Sequence, residues 1–130
     1  MSNANLDAIH TKIGKIELLK SGILKVAGNS NINITIEDMY ENDRIFKKLL
    51  KGRTAPFLTI FGENATIDTD AQAYFSNKER SSVKRAEALL TSQTHHRLIA
   101  LTHTTHLTPN YPIKHFKIEE EAIKWLLTFI

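Results

Sequence analysis

Three short runs near the start of the chain read as strands, the first alternating loosely, the second of β-type composition and the third alternating with period two. Residues 15–19 read KIELL, residues 23–27 ILKVA and residues 32–35 INIT. Ser21 and Gly22 punctuate the first gap, and the turn-forming cluster at 28–31 (GNSN) fills the second. Such runs suit half-buried strands, and the turns between them predict an antiparallel meander. The period then changes. Met39, Phe46, Leu49 and Leu50 fall on one helical face. Thr35 stands where an N-cap is wanted, and Glu37 and Asp38 occupy the first turn. Lys47, Lys48 and Lys51 crowd the last turn, and Gly52 supplies a left-handed residue after it.

Residues 56–61 (PFLTIF) form a continuous apolar run ending at Gly62, the pattern of a central strand covered on both faces. Residues 63–68 read as a loop. A helix is predicted from Thr69, with Ala71, Tyr74 and Phe75 inward and Thr69 and Gln72 at capping-box spacing. Residues 86–91 (AEALLT) predict another strand, despite the weak β propensity of alanine and glutamate. A helix through Leu98, Ile99, Ala100 and Leu101 follows, closed by PNYP at 109–112. Residues 113–118 (IKHFKI) alternate as a last strand. Glu119, Glu120 and Glu121 then favour a helix start, and Ala122, Trp125, Leu126 and Phe129 form its inward stripe.

The resulting order, β-β-β-α-β-α-β-α-β-α, predicts an α/β fold with a mixed sheet. An antiparallel N-terminal meander leads into parallel β-α units with right-handed crossovers, and about four helices cover the sheet. Residues 1–12 are expected to be a flexible N-terminal segment, and 13–130 a single domain.

Composition narrows the function classes. With 130 residues and 42% hydrophobic content, one core forms without staples. The absence of cysteine excludes disulfides, thiolate metal sites and cysteine nucleophiles, and it fits a reducing cytoplasm. No apolar run reaches membrane-spanning length, and the start, MSNAN, lacks a signal peptide's apolar core. Seventeen basic residues against fourteen acidic ones give a net charge of +3. The two signs are interspersed, so nucleic acid is not an expected partner.

Six histidines stand out, four of them at His95, His96, His103 and His106. Imidazoles on one helix face suit zinc, copper or nickel. No carboxylate lies between residues 88 and 118 to complete a set, however, so a polar surface is the expectation. Lys78, Arg80, Lys84 and Arg85 read as a solvated helix end. No Gly-x-Ser-x-Gly elbow, Walker A motif or Gly-x-Gly-x-x-Gly loop is present. Asp68 and Asp70 could serve as paired carboxylates, but their place at a helix start explains them without chemistry. Neither an enzyme nor a cofactor is expected.

Three segments carry a resemblance to a known family: TAPFLTI at 54–60, AQAYF at 71–75 and EEEAIKWL at 119–126. Over about residues 13–130 the order of elements resembles STAS domains, the SpoIIAA-like group typified by bacterial anti-sigma-factor antagonists. It looks closest to short bacterial STAS-like or SEC14-like proteins. The resemblance implies a non-catalytic regulatory module that contacts a protein partner. In classical members a strand leads into Asp-Ser-Ser-Gly at a helix N-terminus, and the first serine is phosphorylated. Here residues 67–71 read IDTDA, so Thr69 falls at the serine, Asp70 replaces the second serine and Ala71 the glycine. An aspartate beside the site repels an added phosphate. Helix capping by Thr69 or Asp68 explains the same residues. The expected contact surface runs from Gly62 through Asp68, Thr69 and Asp70 to Tyr74. SEC14-like similarity implies the alternative, a carrier of a small apolar or lipid-like ligand. Homodimers are common for domains of this size, and the sequence singles out no interface.

Overall fold

The computed structural model describes residues 8–75, 83–91 and 111–130. In chain order its elements are β1 (Ile9–His10), β2 (Gly14–Leu18), β3 (Leu24–Gly28), β4 (Asn33–Ile34) and α1 (Ile36–Leu50). There follow β5 (Ala55–Ile60), β6 (Thr66–Ile67), α2 (Thr69–Phe75), β7 (Lys84–Leu90), β8 (Ile113–Phe116) and α3 (Glu119–Leu126), which ends in a 3-10 turn over Leu127–Phe129. Six strands form one mixed sheet in the order β1-β2-β3-β5-β7-β8. The first three are antiparallel, while β3, β5, β7 and β8 run parallel. The expected architecture of meander followed by parallel β-α units is therefore present.

Three α-helices appear among the described residues, against about four expected. The helix predicted through Leu98 to Leu101 lies outside the described residues, as do Lys78, Arg80 and the histidines at 95, 96, 103 and 106. Of these helices none is long and apolar enough to cross a membrane.

The meander differs from expectation in its members. Ile9 and His10 supply its outer strand, pairing with Ile16 and Lys15, so the sheet starts before residue 13. The alternating run at 32–35 leaves the sheet. After Gly28 the Asn29 N–H donates to Ile13 O, and Asn31 takes a positive φ of 59°. Asn33 and Ile34 then pair in parallel with Thr66 and Ile67, inside the stretch predicted as loop. Alternation shows that a run is half buried, but it does not name the partner strand. The segments after β3 and β5 approach closely at glycines: a Cβ on Gly62 would lie 2.1 Å from Asn29 O, and one on Gly28 2.9 Å from Gly62 N.

Helix α1 has the capping chemistry read from the sequence. The Asp38 N–H donates to Thr35 Oγ1 at 3.2 Å, and the Thr35 N–H donates back to Asp38 Oδ2 at 2.9 Å. At the other end Lys51, one residue before Gly52, is already left-handed (φ 52°), and its N–H donates to Lys47 O. Gly52 follows with φ +86°.

The sheet is covered on both sides. Ala122 and Leu126 of α3 pack on Ile23, Leu58, Ala86, Ala88 and Phe116. On the opposite face Phe46 and Leu50 of α1 pack on Ile16, Leu24, Ala55 and Phe57, and Met39 with Ala71 of α2 covers Leu89. The parallel strands step in one direction across the sheet, so right-handed crossovers place α1 and α2 on one face. Phe57 and Leu58 point to opposite faces, and both are wholly buried, as the apolar run at 56–61 predicts. Burying each contributes about 1.5–3 kcal/mol.

Burial alone would raise the Asp38 carboxyl. The Lys12 ammonium at 2.7 Å and the Thr35 N–H and hydroxyl outweigh it and hold the group below the usual carboxylate range. A carboxyl whose folded value is depressed adds stability at neutral pH, and that stability is lost as pH falls through the ordinary range towards the lowered one. In urea unfolding, Asp38→Asn should be less stable than the wild type at pH 7, and the gap should close on acidification. A gap independent of pH would contradict the capping role.

Candidate functional site

A sheet strand alternates faces, so residues three apart on it point to opposite sides. Lys84 and Glu87 break this rule. Along β5 and β7 the pairing steps from Ala55↔Lys84 to Pro56↔Ala86, leaving Arg85 as an extra residue in a β-bulge. The bulge turns Lys84 to the face that Glu87 occupies, under α1. Arg85 stays exposed and is tied down by donating to Thr54 O at 2.8 Å, Thr54 Oγ1 at 3.2 Å and Phe129 O at 2.6 Å. Lys84 and Arg85 are thus strand residues with separate fates rather than parts of a solvated helix end.

Glu87 is wholly buried and the Lys84 side chain nearly so. The Lys84 Nζ donates to Glu87 Oε2 at 3.0 Å. The Thr59 hydroxyl donates to the same oxygen at 2.8 Å, and the Tyr111 hydroxyl donates to Glu87 Oε1 at 3.3 Å. The ammonium also lies 5.3 Å from the Phe57 ring centroid and 6.0 Å from that of Tyr111. Both carboxylate oxygens are therefore satisfied, the condition under which a buried charge persists. Nearby, Thr91 Oγ1 and His115 Nε2 share a hydrogen bond of 2.5 Å.

Beside this cluster lies a cavity of about 60 Å³. Its walls come from the α1 residues Met39, Asn42 and Phe46, from Val26, Phe57 and Thr59 of the sheet, and from Ile34 and Ile67 of the small β4–β6 ribbon, with Lys84 at its edge. Asn42 is 4% exposed, and its Oδ1 has no hydrogen-bond partner. A buried acceptor left this way costs about 1–3 kcal/mol unless something donates to it.

The residues singled out in the sequence sit elsewhere, at the head of α2. Asp68, Thr69 and Asp70 are all exposed. Asp68 Oδ1 accepts from Asn33 Nδ2 at 2.9 Å, and the Asp68 N–H donates to Ile34 O, so the β4–β6 ribbon fixes this turn. Tyr74 is half-buried against α1, where its hydroxyl donates to Asp43. Its ring meets that of Tyr40 edge-on at 4.9 Å. The structure thus brings Asp68, Thr69 and Asp70 together, with Tyr74 one helical turn along.

Sequence reading missed Asn42, Thr59, Lys84, Glu87 and Tyr111. Two signals were available. Asn42 falls on the Met39–Phe46 stripe of α1, and Glu87 is the one charge within the apolar run 86–90. Lys84 was hidden, because only the bulge gives it the parity of Glu87.

A family model described as a domain of unknown function (DUF7793) matches residues 17–130. The chain belongs to the DUF7793 family. No curated protein matches it. Among solved structures, this DUF7793 chain is similar to an uncharacterised protein of the DUF3478 family with a SpoIIAA-like fold from Shewanella loihica PV-4. The likeness covers 97% of this chain and 98% of the other, with a TM-score of 0.56 and 14% sequence identity. The fold of the DUF7793 chain is therefore SpoIIAA-like, in agreement with the resemblance read from its sequence.

Removing one partner of a buried pair leaves the other charge uncompensated, at a cost of about 3–5 kcal/mol. Lys84→Met should lose stability on that scale in urea unfolding, and Lys84→Met with Glu87→Gln should recover most of it. A single variant as stable as the wild type would show that the pair does not form.

Proposed function

We propose that this chain is a non-catalytic, cytoplasmic regulatory module that recruits a protein partner through the corner where α2 meets α1. The observation that carries this reading is the aromatic step of Tyr40 on Tyr74 beside the exposed turn of Asp68, Thr69 and Asp70. Tyr40 is 43% exposed although it is large and apolar-bodied. Tyrosine at the centre of a patch is a frequent anchor of protein–protein contacts. Glu37 and Glu41 lie within one turn of Tyr40 on α1 and are exposed. With Asp68 and Asp70 they outnumber the exposed Arg44 one turn after Tyr40, a negative balance that suits a partner bearing lysine or arginine. The SpoIIAA-like fold supports a STAS-type module. Phosphorylation of Thr69 would be the regulatory step, working against repulsion from the two flanking aspartates.

A second reading, a carrier of a small apolar or lipid-like ligand, draws support from the cavity under α1. Its size limits the ligand. About 60 Å³ is less than half of the about 150 Å³ that accommodates benzene in an engineered apolar cavity, so an acyl chain does not fit.

Partner capture from the native cell, identified by mass spectrometry, tests the first reading. Tyr40→Ala and Thr69→Ala should each fold like the wild type and lose about tenfold or more of the captured partner, in line with removal of an anchor worth about 1.4 kcal/mol or more. Capture unchanged in both variants would reject the corner as the working surface.

A further inference from the structure

The cavity beneath α1 joins three features that are costly in isolation. Its walls are apolar, from Val26, Ile34, Met39, Phe57 and Ile67. Its one polar intrusion from the helix is Asn42, 4% exposed, whose Oδ1 accepts no hydrogen bond. Its edge carries the Lys84 side chain, whose charge is opposed by Glu87 at 3.0 Å. A dry apolar void tolerates no unpaired acceptor, so something that donates belongs at Oδ1. A wholly polar occupant would leave the aliphatic walls without contacts. A charged occupant would be desolvated beside a pair that is already neutral.

We infer that this cavity is a binding site for a small neutral molecule with a short apolar body and one hydroxyl or amide N–H, the donor meeting Asn42 Oδ1 and the body lying between α1 and the β4–β6 ribbon. The inference deepens the carrier reading and is independent of the partner surface at the head of α2. The cavity of about 60 Å³ sets the class at short-chain alcohols and amides. Ile34 and Ile67 line the site from β4 and β6, and the same ribbon holds Asp68 through Asn33.

Ethanol and dimethyl ether are isomers of nearly equal size, small enough for the cavity, and only the alcohol donates a hydrogen bond. Each is titrated into the 130-residue chain while the methyl resonances of Met39, Ile34 and Ile67 are followed. The alcohol should shift these signals saturably and bind about fivefold more tightly than the ether, the ratio expected for one net hydrogen bond. In Asn42→Ala the preference should vanish while both isomers still bind. Should that variant fail to fold, nuclear Overhauser contacts from the ethanol methyl to Met39 in the wild type take its place, and their absence overturns the site. Equal binding of the two isomers to the wild type overturns the donor contact and leaves the carrier reading standing. No saturable shift with either isomer, with Asn42 bonded to water alone, overturns both.

Discussion

A lysine and a glutamate cannot enter a protein core separately, and the sheet of this protein is arranged so that they enter together. Taking one charge out of water costs several kcal/mol, which only a close opposite charge and satisfied oxygens offset. Lys84 and Glu87 meet this condition through an insertion in the backbone. The extra residue Arg85 shifts the parity of β7, and its own guanidinium is fastened to Thr54 and Phe129 at the sheet's edge. Thr59 from β5 and Tyr111 from the approach to β8 then complete the carboxylate. Three parallel strands are thereby held in one register by hydrogen bonds to a single side chain.

That constraint shapes what lies above it. The neutral pair lets the α1 face of the sheet remain apolar enough to hold Phe57 against Phe46, their rings 5.0 Å apart and nearly perpendicular. At the ends of β3 and β5, Gly28 and Gly62 let the backbone approach closely, and Ile34 and Ile67 of the β4–β6 ribbon line one side of the cavity. The result is a void with one unpaired acceptor. The head of α2 is built on the other flank of the same ribbon. The site proposed for a small ligand and the surface proposed for a partner are thus neighbours, each with its own chemistry.

Much of the frame was legible in the residue pattern because it follows from period and punctuation. The α1 cap at Thr35, the doubly covered strand at 56–61 and the stripe of Ala122 and Leu126 on α3 each express a local rule. The partner of the 32–35 run was not legible, because alternation is satisfied equally by the main sheet and by a two-stranded ribbon. The site was hidden for a different reason. Glu87 within an apolar run asks for a counter-charge, but at normal strand parity Lys84 points the wrong way, and a bulge leaves no mark that composition reveals. Asn42 on an apolar stripe was the readable exception. Thr69 was placed correctly at a helix start, where it is exposed.

The burial of Lys84 against Glu87 is measured most directly by side-chain ¹H–¹⁵N spectra of the lysine ammonium groups. Ammonium protons exposed to water exchange too fast to be seen near neutral pH, whereas a buried, hydrogen-bonded one persists. One slowly exchanging signal that is absent in Lys84→Met is the result expected. Spectra in which every lysine exchanges as in free solution, with Lys84→Met indistinguishable from the wild type, would contradict it.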